Sequence, residues 1–161
     1  MEPRIENLAE KLLIGKSVRM SLTANKTGEL WQSFMTERKN IQNAVGTELY
    51  SIQVYDDLDY FKRFNPNTTF TKWAATEVAN SNNIPIGFST LFIPQGLYAV
   101  FLHKGLASDF PKTANYIYGK WIPNSDYDLD NRPHFEVLGD AYKNNDPASE
   151  EEVWIPIKKE A

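Results

Sequence analysis

The chain contains no cysteine. That excludes a disulfide framework, a thiolate nucleophile and a thiolate metal site. It has two histidines, His103 and His134, and a zinc site takes three or four ligands. No stretch approaches 18 consecutive apolar residues, so no membrane span is expected. The Met1-Glu2-Pro3-Arg4 start lacks a charged segment followed by an apolar one, so no secretory leader is expected. No cluster of Lys and Arg resembles a nucleic-acid footprint. Near Lys104-Gly105 the GxxxxGK[ST] spacing of a phosphate loop is absent. No nucleophile elbow supports a Ser–His–acid triad. Asp126-x-Asp128-x-Asp130 begins like a calcium loop, but Asn131 and Val137 stand where that loop needs Gly and Glu. These absences leave a soluble, cytoplasmic protein with no metal and no cofactor as the expectation.

What is plentiful is aromatic side chain, 13% of residues within a 42% hydrophobic total. A chain of 161 residues with that content can bury the core of one domain. The rings raise the prospect of an aromatic-lined site, although they also serve as ordinary core fillers. Net charge is −4 and uneven. Residues 126–152 hold nine acids and two bases, a local −7, which leaves +3 for the remainder. Acidic surface favours cations and repels phosphates, and it also keeps loops solvated.

Periodicity gives the elements. Lys11 to Leu22 alternates and reads as a strand. Asn25-Lys26-Thr27-Gly28 reads as a turn and helix cap. Leu30, Trp31, Phe34 and Met35 recur at helical spacing and predict a helix from about Thr27 to Asn40. Leu49 to Tyr55 and Phe70 to Val78 are strands. After the polar connector from Ala79 to Pro85 the order restarts. Phe88 to Ile93 is a strand, Pro94-Gln95-Gly96 a turn, and Leu97 to His103 a strand. Ser108 or Asp109 caps a helix with Pro111 in its first turn. Phe110, Ala114, Ile117 and Trp121 share one face of that helix, and Pro123 stops it. Phe135 to Leu138 and Val153 to Ile157 are the last strands. Strand, helix, strand, strand thus occurs twice, over approximately 1–79 and 80–161. Two such modules predict one α+β domain with a mostly antiparallel sheet and two helices flanking a groove suited to a ligand.

One residue breaks the pattern. Glu136 lies in Phe135-Glu136-Val137-Leu138, a run that otherwise reads as buried strand. Alternation puts Glu136 on one face with His134 and Leu138, and Phe135 with Val137 on the other. A carboxylate there points to solvent or faces something that offsets its desolvation, and a cation in an aromatic pocket does the latter.

Several motifs together resemble the GyrI-like effector-binding family, which includes the ligand-binding halves of multidrug-responsive transcription regulators. The matching pieces are Ile93-Pro94-Gln95-Gly96-Leu97-Tyr98-Ala99-Val100-Phe101 and His103-Lys104-Gly105. They continue with Trp121-Ile122-Pro123-Asn124-Ser125-Asp126-Tyr127, Pro133-His134-Phe135-Glu136 and Glu151-Glu152-Val153-Trp154-Ile155-Pro156-Ile157. The first half, with Leu30-Trp31 and Phe34, is a looser match. The resemblance implies two strand–helix–strand–strand modules about a pseudo-twofold axis. It also implies a pocket between them for amphipathic, cationic, aromatic compounds. Glu136 matches the family's strand glutamate, Trp121 the tryptophan ending the second helix, and Tyr127 the aromatic that follows. Trp31, Phe34, Tyr55, Trp73 and Tyr98 are implied wall residues by module position.

Many relatives carry an N-terminal helix-turn-helix, for which the chain leaves no room before its first strand, so direct DNA binding is not expected. Asp126 stands where many relatives have a small residue. The expected function is a stand-alone binder of a small cationic or aromatic molecule. An alternative is a hydrolase of strained, cyclopropane-bearing toxins, with Glu136 as general base and Tyr127 or another tyrosine as hydrogen-bond donor. A further alternative is a protein-interaction module, with a gyrase or a regulator as partner.

Overall fold

A computed structural model describes residues 1–161. Nine strands form one antiparallel assembly, with helices on its outer face. The strands are β1 (Arg4–Leu8), β2 (Lys11–Met20), β3 (Leu49–Val54), β4 (Phe70–Glu77), β5 (Ser89–Ile93), β6 (Gly96–Lys104), β7 (Tyr127–Leu129), β8 (His134–Leu138) and β9 (Glu150–Lys159). The helices are α1 (Thr27–Glu37), α2 (Asp59–Lys62), α3 (Phe110–Tyr116) and α4 (Ile122–Asn124). The main strand order is β1-β6-β9-β8-β3-β4-β2-β5, and β7 pairs with β9 outside that path. The order is symmetric about the β8–β3 pair, as two related modules require. β6, β9 and β8 come from the second half of the chain, and β3, β4 and β2 from the first.

β1 and β5 break the segregation. β1 pairs with β6 of the other half, and β5 pairs with β2. The two pairings share one register. Arg4 lies opposite Val100, and Lys11, seven residues on, lies opposite Ile93, seven residues back. Residues 4–15 and 89–100 therefore make one antiparallel ribbon, bent at Ala9-Glu10 and at Pro94-Gln95. The sequence predicts a turn at Pro94. The structure instead has a bend between strands that do not pair with each other. Pro94 lacks an N–H to continue a ladder, which suits it to that corner.

The ribbon joins the two ends of the main path, so the sheet curls on itself. Its inner face holds one core cluster of Leu13, Tyr50, Ile52, Trp73, Ala75, Ile93, Tyr98, Val100 and Phe135. The outer face has two further clusters, one under each main helix. Leu30 and Phe34 of α1 meet Ile14, Ala74, Val78 and Phe88. Ile117 meets Ala99, Phe101, Val153, Ile155 and Ile157, with Phe110 and Trp121 packed against them. Between these two patches the outer face of β3 and β8 is left for polar groups.

The cap of α1 and the interior of the second helix differ from the sequence reading. Asn25 does not cap α1, because its Oδ1 accepts from Thr27 N–H at 2.9 Å to close a turn before the helix. Pro123 is the penultimate residue of the second helical run, which ends at Asn124. The chain widens into a π turn at Ile117–Trp121 and continues as α4. Proline fits there because it falls in the first turn of α4, where its missing N–H is not needed.

Candidate functional site

Strand register decides what faces the gap between the helices. On β8 the outward residues are His134 and Glu136. Ser51 lies opposite Glu136 on β3, and Gln53 lies opposite His134. Lys72 of β4 lies opposite Gln53. On β9, Glu151 lies opposite His103 of β6. The outer face at its centre thus carries two carboxylates, one ammonium, an amide and two imidazoles.

Glu136 is 9% exposed, and its Oε1 accepts from Gln53 Nε2 at 3.1 Å. Burial pushes its carboxyl above the usual range, while the Lys72 charge and the Gln53 hydrogen bond work to keep it ionised. Lys72 is 8% exposed, and its ammonium makes no hydrogen bond or ion pair within the protein. Burial lowers its proton affinity, opposed by the charges of Glu136 and Glu151. Glu151 is pushed up to about 7, by burial first and by the Glu136 charge second. His103 is tied down, with Nδ1 2.7 Å from Thr113 Oγ1 and Nε2 3.1 Å from the Leu106 carbonyl oxygen.

An aromatic wall closes over this cluster. Phe61 of α2 stacks between Tyr118 and His134, at centroid distances of 4.9 and 5.2 Å and interplanar angles of 30° and 16°. Tyr55 meets His134 edge-on at 5.0 Å and Phe61 at 4.9 Å. Tyr60 packs on Tyr55 at 4.4 Å. The Tyr118 hydroxyl lies 3.0 Å from His134 Nδ1. Burial, aided by the Arg132 charge, pushes His134 down to about 3 and so keeps it neutral. Burial raises Tyr118 well above the ordinary tyrosine value, with Glu136 adding to the effect, so its hydroxyl remains a donor.

β8 is anchored by its approach loop. Arg132 Nη2 donates to the Leu97 and Ile157 carbonyl oxygens at 2.6 and 3.0 Å, and Nε donates to Asp130 Oδ2 at 2.8 Å. The guanidinium lies 4.7 Å above the Tyr98 ring. Asp130, one of the aspartates that resemble a calcium loop, is thereby engaged in positioning the strand.

Of the residues singled out from sequence, the structure brings Tyr55 and Glu136 together. Phe34 is fully buried beneath α1, and half-buried Trp31 meets it edge-on at 5.6 Å. Trp121 sits over Phe101 at 5.3 Å and stacks on Tyr127 at 6.2 Å. Phe101 lies opposite Val153, which lies opposite Glu136, so Trp121 is two strands away from the carboxylate. Tyr127 pairs with Lys159, six residues along β9 from Val153. Trp73 and Tyr98 face the interior of the curled sheet, on the opposite side from Glu136. Lys72, Gln53, Tyr118, Phe61 and Glu151 surround Glu136 without having been singled out. The signal for Lys72 was its alternation with Phe70 and Ala74, which puts it on a buried face.

A closed antiparallel sheet flanked by two helices has known counterparts. The GyrI-like small molecule binding domain family matches residues 1–158. The chain belongs to that family. This GyrI-like domain is 25% identical over 159 residues to the transcriptional regulator BrlR of Pseudomonas aeruginosa, covering 98% of the domain and 56% of that regulator. The chain therefore spans about half the length of that relative. SAV2435, solved bound to tetraphenylphosphonium, superposes with a TM-score of 0.76 at 17% identity, over 98% of this chain and 94% of that one. The EcmrR C-terminal domain superposes with a TM-score of 0.74 at 13% identity, over 99% and 98%. A hydrolase from Listeria innocua superposes with a TM-score of 0.57 at 10% identity, over 98% and 92%. At these identities the structural likenesses concern the fold. No helix is long and apolar enough to cross a membrane.

Proposed function

We propose that this GyrI-like domain binds an aromatic molecule carrying a cationic group, with Glu136 as the counter-charge for that group. The observation that carries the reading is a buried carboxylate held by a single protein hydrogen bond, beneath a wall of stacked rings. Burying a charged carboxylate is costly unless a partner compensates. A ligand cation supplies that partner. The ligand's ring system takes the place of Phe61 between Tyr118 and His134, so the α2 segment moves aside on entry. Each cation–π contact contributes about 0.5–1 kcal/mol when exposed and about 2 when desolvated. Two or three such contacts with one buried charge pair reach roughly 8 kcal/mol, or micromolar affinity. The ligand-bound structure of SAV2435 supports the reading by likeness of fold.

The test is calorimetry with tetraphenylphosphonium and the neutral triphenylphosphine oxide. Replacing Glu136 by Gln is expected to weaken the cation at least tenfold and the neutral compound little. Equal losses for the two compounds would remove Glu136 from this role. The hydrolase alternative is not adopted: Tyr127 lies away from Glu136, and although Tyr118 and Tyr55 lie near it, the matching family model describes small-molecule binding.

A further inference from the structure

We propose that the site takes a zwitterion: Lys72 is a second anchor that selects ligands bearing an anionic or strongly accepting group beside the cation held by Glu136. The inference rests on the binding reading above and adds the ligand's second polar group. Three observations carry it. First, Lys72 lies on β4 opposite Gln53, and Gln53 donates to Glu136, so ammonium and carboxylate share one face across adjacent strands. Second, Lys72 is 8% exposed, yet its ammonium has no hydrogen-bond partner in the protein and no carboxylate within ion-pair distance. The side chain is largely covered while its ammonium still reaches solvent, so its three donors are open to an acceptor that a ligand brings. Third, the aromatic wall stands beside both groups, because Tyr55 and Phe61 pack on His134, which shares a cross-strand row with Gln53 and Lys72.

Charge balance argues the same way. Glu136 and Lys72 compensate each other at a distance, so the ligand-free site is close to neutral from that pair alone. A simple cation bound at Glu136 leaves the Lys72 charge without its counter-ion. A ligand of both signs does not, since its anionic group faces Lys72. Glu151, also felt by Lys72, titrates near neutrality and adjusts the balance by holding or releasing its proton. Replacing the lysine by a neutral side chain of similar length removes the acceptor's partner and leaves the cation's partner in place.

The experiment compares one matched pair of dyes, rhodamine B as its zwitterionic acid and as its cationic methyl ester, by fluorescence anisotropy at pH 8. The wild-type domain is expected to bind the acid at least tenfold more tightly than the ester. Lys72→Met is expected to abolish that preference. Glu136→Gln is expected to weaken both dyes while the preference survives. Lys72→Gln serves as a second neutral variant should Lys72→Met fail to fold, and the wild-type comparison needs no variant at all. Equal binding of acid and ester by the wild type overturns the inference and leaves the cation reading standing. A preference that persists in both Lys72 variants also overturns it. If neither dye binds, the cation reading fails, and the inference fails with it.

Discussion

At the scale of single residues, the site is a set of buried titratable groups whose pH responses oppose one another. Glu151 has a folded value near 7, above the usual carboxylate range, so the folded state holds a proton that the unfolded chain has released. Its contribution is fully present below about pH 4.5 and is lost as pH rises toward 7. His134 is pushed down to about 3, so the unfolded chain takes up a proton below about pH 6.5 that the folded state refuses. Its effect is a loss of stability on acidification from about 6.5 toward 3. Each slope is at most about 1.4 kcal/mol per pH unit, and for partly exposed Glu151 solvent screening reduces it. Urea denaturation from pH 4 to 8 is expected to show that Glu151→Gln removes the decline toward neutrality. In the same series His134→Asn is expected to flatten the acid side. Slopes identical to wild type in both variants would show that neither group is buried as described. The sequence made Glu136 conspicuous, since a carboxylate in an apolar strand has few explanations. Its burial depends on what crosses over it, and α2 does so from more than seventy residues away. Lys72 was less visible because a lysine among threonines and aromatics also suits a surface strand.

At the scale of elements, α2 is the part of the site that sequence periodicity missed. Four residues are too few to set up a helical repeat, and Asp56 to Asp59 reads as loop. Yet Phe61 on this turn closes the site. Phe61→Ala is expected to lose about 2 kcal/mol of folding stability, less than the full cost of a buried phenylalanine because the ring is half-buried. The same change is expected to tighten ligand binding, since no ring has to be displaced. Paired denaturation and calorimetry would check both signs, and weakened binding would show that Phe61 is a contact and not a cover. The longer elements were readable because they bury distinct patches: α1 from Leu30 and Phe34, the main strands from β-rich apolar runs buried on both faces. The second helix was legible through Trp121, which packs against the same cluster as Phe110 and Ile117, and only its π turn left no mark in the spacing. Trp121 packs over Phe101, and Tyr127, on the strand beyond the helix, stacks on Trp121.

At the scale of the molecule, the repeated module order was legible and the closure was not. Each element is local in sequence, but the ribbon sets residues 4–15 against 89–100, and no short-range pattern specifies that register. The curl explains why Trp73 and Tyr98 face inward. Aromatic strand residues look alike in sequence whether they line a sheet's inside or its groove. Removing residues 1–8 would uncover the β6 edge and open the inner core. An unpaired strand edge of this kind recruits other chains. The truncated protein is expected to melt at a lower temperature and to associate with rising concentration in size-exclusion chromatography. A monodisperse truncated monomer with wild-type melting would show that β1 is dispensable to the closure.

The crossing of β1 and β5 into opposite halves means that neither half completes its own sheet. Each lends its first strand and receives one in return. A single module repeated as two separate chains could satisfy the same pairings, with the pseudo-twofold axis becoming a true one. The topology is that of a strand-exchanged homodimer written into one polypeptide. Its joining segment lets the two halves diverge, so that one central cleft can carry a different side chain on each side of the axis.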